Sequence, residues 1–176
     1  MTKRMTLLAL SDTHGRFDRL LEVASLHKSA DAILFLGDGL RDLSTLPSEL
    51  SQKICAVRGN CDVFSVGADD VPNERFLYFG DYRILMMHGH THGVKADGMR
   101  ALAYAASRGA DVLVYGHTHT ASERYFPEGY DAGGVILPKP IYVLNPGSLG
   151  SPRDGRPSYG LVDLSAGGIV TSIGRL

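Results

Sequence analysis

Two pairs of metal-binding residue types, each spaced one residue apart, mark the chemistry of this chain: Asp12-Thr13-His14 and His117-Thr118-His119. Three further clusters join them, namely Gly37-Asp38, Gly59-Asn60-Cys61-Asp62 and His88-Gly89-His90. Carboxylate, imidazole and carboxamide oxygen are donors to divalent cations, and a mixed oxygen/nitrogen set suits Mn²⁺, Fe, Zn²⁺ or Ni²⁺. On an extended segment, residues i and i+2 project to the same side. Each pair is therefore expected to offer two ligands to one spot. A lone histidine near a turn is ordinarily just solvated. Two such pairs beside Gly-Asp and Gly-Asn point instead to a metal centre. His27 stands apart and reads as a boundary residue.

Elements that could gather these side chains are visible. Each cluster follows a short apolar run: Met5–Leu10, Ala32–Leu36, Ile54–Val57, Arg83–Met87 and Asp111–Tyr115. A sixth run, Ile141–Leu144, leads into Asn145-Pro146-Gly147-Ser148. Such runs read as buried strands. In open α/β sheets, ligands bind in the crevice at the carboxyl ends of the strands. A helix over 15–29 between the first two strands makes a βαβ unit with parallel pairing. A shorter helix is expected over 41–50, weakened by Pro47 or starting there. Residues 62–74 read as a loop. Gly80-Asp81 reads as the turn of a hairpin between 75–79 and 83–87. A further helix spans 97–108, capped by Asp97 and stopped by Gly109. Beyond His119, strands are expected over 121–126, 133–137, 140–145, 158–164 and 168–174, mostly antiparallel. The whole reads as one α/β domain, 1–176, of two sheets packed face to face with helices outside.

Composition sets bounds. The 176 residues hold 44% hydrophobic and 21% charged residues, with 18 Lys+Arg against 19 Asp+Glu. That is an ordinary globular balance. Without a basic excess there is little to hold a nucleic-acid backbone, so nucleic acid is an unexpected partner. Cys55 and Cys61 do not make a disulfide framework. Lys3 and Arg4 precede an apolar stretch too short for a secretory signal, and no run is long enough to span a membrane. A cytoplasmic setting without membrane attachment is expected.

The ordered series Asp12-Thr13-His14, Gly37-Asp38, Gly59-Asn60-Cys61-Asp62, His88-Gly89-His90 and Gly116-His117-Thr118-His119 resembles the calcineurin-like metallophosphoesterases over most of the chain. Asn145-Pro146-Gly147-Ser148 and Pro157-Ser158-Tyr159-Gly160 are similar to its small bacterial and archaeal phosphodiesterase branch. The resemblance implies a four-layer α/β/β/α sandwich of two mixed sheets and two divalent metal ions, Mn²⁺ first among the candidates. Carried over residue by residue, it implies that Asp12, His14, Asp38 and His119 hold one ion. Asp38, Asn60, His88 and His117 would hold the other, so Asp38 bridges. The implied activity is hydrolysis of a small phosphate diester by a hydroxide bridging both ions. Metal binding can bring a water pKa to about 7.

Residues beyond the ligands carry further expectations. Gly89-His90-Thr91-His92 repeats the string at 116–119. The second string is taken as the ligand pair because it follows its strand directly, leaving His90 a supporting catalytic role and His92 none. Many members of the resembled superfamily carry histidine where Cys61 stands, assisting the leaving group. A thiol is a weak donor with a pKa near 8.5, so Cys61 is expected to favour good leaving groups. Asp62 is expected to orient Asn60 or Cys61. Arg153 could reach a phosphate, although exposed loop arginines are common. Asn145-Pro146-Gly147-Ser148 reads as a turn and lacks the G-x-S-x-G pattern of a nucleophile. The excursion over 120–140 reads as a substrate-side flap or a homo-oligomer contact. Two other functions stay open: phosphomonoesterase or nucleotidase action, and a non-catalytic scaffold like the retromer subunit of similar fold.

Overall fold

The structure is a computed structural model that describes residues 4–176; Lys3 lies outside the described residues. Two five-stranded sheets form the centre. The first contains β1 (Met5–Leu10), β2 (Ala32–Phe35), β3 (Ile54–Ala56), β9 (Ser158–Ser165) and β10 (Gly168–Arg175), in the order β10-β9-β1-β2-β3. The second contains β4 (Glu74–Phe79), β5 (Tyr82–Met87), β6 (Val112–Tyr115), β7 (Ala121–Phe126) and β8 (Ile141–Pro146), in the order β4-β5-β6-β8-β7. Both sheets are mixed. β1, β2 and β3 run parallel, as do β5, β6 and β8, while antiparallel strands complete each sheet.

Strand alternation sorts the apolar side chains into layers. Leu7 and Ala9 face Ile84, Met86, Val112 and Val114 between the sheets. Leu8 and Leu10 face outward, onto Leu20, Val23 and Ala24 of α1 (Phe17–Leu26). Leu85, Met87 and Leu113 pack against Ala101, Leu102 and Ala105 of α4 (Met99–Ser107). Burial on both faces explains why the strands read as continuous apolar runs rather than alternating ones. The result is the α/β/β/α sandwich.

Some local expectations need correction. The helix over 15–29 shortens to Phe17–Leu26, because Gly15 (φ 86°) belongs to the loop after β1. The helix over 41–50 is two single turns, α2 (Leu40–Leu43) and α3 (Ser48–Ser51), with Pro47 capping the second. No strand forms over 133–137. Gly133 and Gly134 both take positive φ (68° and 96°), leaving only an Asp131–Ile136 bridge. The excursion over 120–140, expected as a substrate-side flap or a homo-oligomer contact, is anchored by apolar packing. Phe126, Ala132 and Leu137 are buried beside α4, on the outer face of the second sheet. The strands after His119 are mostly antiparallel and join both sheets, β7 with β8 in one and β9 with β1 and β10 in the other, while β8 pairs in parallel with β6.

Candidate metal centre

The parallel strands of both sheets end at one edge, and the chemistry-bearing residues lie just beyond those ends. Two clusters of donor atoms result: Asp12, His14 and His119, and beside them Asp38, His88 and His117. His119 Nε2 lies 3.0 Å from Asp12 Oδ1 and 3.2 Å from His14 Nε2. His88 Nε2 lies 3.1 Å from His117 Nδ1, 3.2 Å from Asn60 Oδ1 and 3.5 Å from Asp38 Oδ2. Residues separated by as much as 105 positions thus meet. Asp38, Cys61 and His14 lie close enough to link the clusters.

Strand alternation does not produce this convergence. Asp12 (φ 54°), His14 (45°), Asp38 (57°), His117 (67°) and His119 (60°) are the non-glycine residues with positive φ among the described residues. The left-handed region costs an L-residue roughly 1–2 kcal/mol. Strain of this kind persists where surrounding structure over-determines it, characteristically at functional sites. Its consequence is visible at the second pair: His117 turns toward His88 and His119 toward Asp12. Those two histidines therefore serve different clusters, contrary to the expectation of one shared spot. Asp12 and His14 do share a cluster.

A ring of hydrogen bonds holds the strained loops. Asp12 N donates to Gly37 O and His14 N to Asp38 O. Asp12 O accepts from Ser148 Oγ (2.7 Å) and Gly150 N. The Asp12 carboxylate takes the His117 amide at 3.0 Å on Oδ2. Asn145 donates to Gly116 O and Thr118 Oγ1, bracing the loop of the second histidine pair. Asp42 accepts from Thr13 Oγ1 and the Gly15 amide. Sequence reasoning missed Asp42, which no motif marks. Asn145 carried a signal in its place after an apolar run.

Asp62 acts on the Asn60 loop through backbone amides, not through the Asn60 or Cys61 side chain. Its carboxylate accepts four backbone amides: Asp38 N at 2.7 Å and Gly59 N at 2.8 Å on Oδ2, Gly39 N at 2.8 Å and Leu40 N at 2.9 Å on Oδ1. It clamps the Asp38 loop to the Asn60 loop. Cys61 N in turn donates to Asp38 Oδ1 at 2.7 Å. Gly59 permits the approach, since a Cβ there would lie 2.1 Å from Asp38 Oδ1. Gly116 is similarly pressed, with Ser11 Oγ at 1.9 Å from the position of a Cβ.

The donors fit metal ions. His88 Nδ1 hydrogen-bonds Leu36 O (2.6 Å) and His119 Nδ1 hydrogen-bonds Ser151 O (2.8 Å). With those nitrogens donating to carbonyls, each neutral ring presents its Nε2 lone pair to other acceptors, an arrangement that fixes metal-ligating tautomers. Asp12 Oδ1 is buried without any hydrogen-bond partner. Acceptors aimed at acceptors in a buried site need a proton or a cation between them. The electrostatics agree. Burial, then the neighbouring His88, lowers the His117 pKa to about 4, so its ring is neutral. Burial works against ionisation of Asp38, but the adjacent His88 outweighs it and holds the carboxyl below its usual range. The Asp12 carboxylate raises His119. For His88, burial is overcome by Asp38 and Asp12, and its pKa is raised. Burial and the Asp38 carboxylate push the Cys61 thiol up to about 11, so it stays protonated.

The other histidines separate clearly. His90 stacks its ring 5.4 Å from His88 and 6.1 Å from His117, and its Nδ1 is buried without a partner. His92 faces away, 3.6 Å from Glu74 and against the Tyr104 ring. His27 is half-buried against Tyr159. The Arg153 amide donates to His119 O, while its charge bears on the His119 ring.

The profile of the calcineurin-like phosphoesterase superfamily domain matches residues 5–167. The chain belongs to that superfamily. Among its relatives is the probable metallophosphoesterase YsnB of Bacillus subtilis, 33% identical over 91% of this chain and 85% of that protein. Phosphodiesterase YfcE of Escherichia coli is 32% identical over 90% of this chain and 88% of its own length. The solved structure of YfcE superposes with a TM-score of 0.61 at 27% identity, covering 90% of this chain and 91% of that one. Vps29 of Cryptosporidium parvum shares the fold, with a TM-score of 0.66 at 18% identity and 98% of each chain covered. As a metallophosphoesterase, this chain is a metal-binding hydrolase of phosphate esters.

Proposed function

We propose that this metallophosphoesterase is a phosphodiesterase with a binuclear centre, Mn²⁺ being its first candidate metal and Fe, Zn²⁺ and Ni²⁺ the others. Asp12, His14, Asp38 and His119 would hold one ion; Asp38, Asn60, His88 and His117 would hold the other. The observation that carries this reading is the convergence of lone pairs from strands of both sheets on two adjacent spots, with Asp12 Oδ1 left unpartnered. Two divalent cations supply an acidified water and neutralise phosphoryl charge.

The remaining chemistry belongs to the chain. The Asp62 clamp and the Cys61 amide hold Asp38 in place. Neutral His90, its pKa lowered by burial and by His88, stands at the rim where it can hydrogen-bond a phosphoryl oxygen. The Cys61 thiol faces the departing oxygen as a weak donor. Such a site handles a diester with a good leaving group better than one that needs strong protonation. The two cysteines are unpaired thiols, in keeping with a reducing cytoplasm. Among the described residues no helix is long and apolar enough to cross a membrane.

The test is hydrolysis of bis-p-nitrophenyl phosphate against p-nitrophenyl phosphate, after chelation and reloading with Mn²⁺. Preference for the diester is expected. Preference for the monoester moves the chain to the phosphomonoesterases. No hydrolysis with any of the four metals points to the scaffold function.

A further inference from the structure

A cleft of about 400 Å³ leads away from the metal centre. Its inner wall is His14, Asp38 and Cys61; its outer wall includes Arg41 and Phe64. The volume is that of a small-molecule site. Two features of the outer wall lack an internal explanation. The Phe64 ring is 88% exposed, a large apolar side chain presented to solvent beside a catalytic cleft. The Arg41 guanidinium is exposed and makes no hydrogen bond or ion pair among the described residues. Arg16 and Arg58, by contrast, pair with Asp18 and Asp69.

Both residues are tied to the chemistry by one clamp. Phe64 ends the 3-10 turn Asp62–Phe64, whose first residue is the four-amide acceptor. Arg41 follows Leu40, whose amide is one of the four donors. The far end of the Phe64 segment is tied back through its backbone, where the Arg58 amide donates to Pro72 O at 2.9 Å. The backbone that carries the ring and the cation is thereby tied to the Asp38 loop. An exposed aromatic face stacks a planar base, and a free guanidinium pairs bidentately with a phosphate.

We propose that this cleft recognises a nucleotide arm of the diester, with the base stacked on Phe64 and a second phosphate paired with Arg41. The assignment rests on the phosphodiesterase reading above and names its substrate class. In the reaction, the oxygen of water bonds to phosphorus and the bond from phosphorus to the arm's oxygen breaks. One water proton leaves with the arm and the other goes to solvent as the new phosphate ionises. Cys61 lines the same cleft as Phe64, its amide bound to Asp38 Oδ1.

The experiment uses the full chain loaded with Mn²⁺. Binding of inorganic phosphate, adenosine 5′-monophosphate and adenosine 3′,5′-bisphosphate is measured by calorimetry and by inhibition of bis-p-nitrophenyl phosphate hydrolysis. Each added group is expected to tighten binding about tenfold, in line with the worth of one base stack or one charge-assisted contact. Phe64→Ala is expected to erase the advantage of the monophosphate over inorganic phosphate. Arg41→Gln is expected to erase the further advantage of the bisphosphate. Affinity for inorganic phosphate stays at the wild-type level in both variants and reports an intact metal centre. Equal affinities for all three ligands in the wild type overturn the proposal. So do wild-type affinities in both variants, and a Phe64→Ala change confined to oligomeric mass would make the segment a protein contact instead. Because calorimetry needs no turnover, binding with the expected pattern but no hydrolysis refutes the phosphodiesterase reading and leaves the nucleotide site standing.

Discussion

Replacing Asp62 by asparagine isolates the clamp that holds the metal centre. The change is nearly isosteric and removes no metal ligand. One carboxylate oxygen becomes an NH₂ group, which cannot accept the two amides that oxygen now binds, either Asp38 N and Gly59 N or Gly39 N and Leu40 N. Hydrogen bonds to a charged group contribute about 1.5–3 kcal/mol each, and a buried donor left without a partner costs about 1–3 kcal/mol. Asp62 is 2% exposed, so water does not replace the lost acceptor. The expected destabilisation is about 3–6 kcal/mol, taking two charge-assisted bonds as the loss. For a chain of this size that is a fall in Tm of roughly 10 °C. The Asp38 loop shifts with it, so Mn²⁺ affinity should fall about 10–100-fold, as on loss of other groups that orient metal ligands. Urea denaturation in chelator measures the first effect and calorimetric Mn²⁺ titration the second. Asp69→Asn is the control, since that side chain is 99% exposed and its pairing with Arg58 contributes little. An Asp62→Asn protein with a wild-type urea midpoint and wild-type Mn²⁺ affinity would refute the clamp.

Gly59→Ala drives a Cβ to within 2.1 Å of Asp38 Oδ1 and 2.4 Å of Asp38 N, so Asp38 must move; Mn²⁺ binding should be lost at a cost of about 1–3 kcal/mol in stability, read by the same titration and denaturation. Cys61→His replaces a thiol with pKa pushed to about 11 by a group able to donate a proton, and hydrolysis of alkyl diesters should rise at least about tenfold; unchanged alkyl-ester kinetics would remove Cys61 from the leaving-group step. Without metal, Asp12 raises His119, and Asp38 and Asp12 raise His88 against burial, so both rings hold protons above the pH where a free imidazole loses them. A cation must displace those protons, so Mn²⁺ affinity should strengthen as pH rises through about 6.5 and beyond, with proton release visible in calorimetry in buffers of different ionisation enthalpy.

Much of the site was legible in the linear chain because metal ligation is a matter of residue type. Asp12, His14, Asp38, Asn60, His88, His117 and His119 are recognisable by type, and each follows a short apolar run that reads as a strand. The two-layer burial of β1, β2, β5 and β6 left the same kind of mark, as did Gly80-Asp81 at the turn of the β4–β5 hairpin. The helix over 41–50 divides at Pro47, the residue the sequence marks as its weak point or start, whereas the expected strand over 133–137 does not form because Gly133 and Gly134 take positive φ against the local apolar pattern. The one-residue spacing of the second histidine pair pointed to one shared spot; the division between two clusters was implied only by the family resemblance, and its physical cause lies in the tertiary structure. The left-handed backbone at both members of the His117-Thr118-His119 pair sends their rings to different clusters, where an extended strand would have aimed them together. The tertiary structure also decided what Asp62 and Asp42 do, since a carboxylate that collects backbone amides from loops far away in sequence has no local spacing to betray it. Side-chain chemistry is written residue by residue, whereas the direction of a lone pair depends on loops that only the packed sheets bring together.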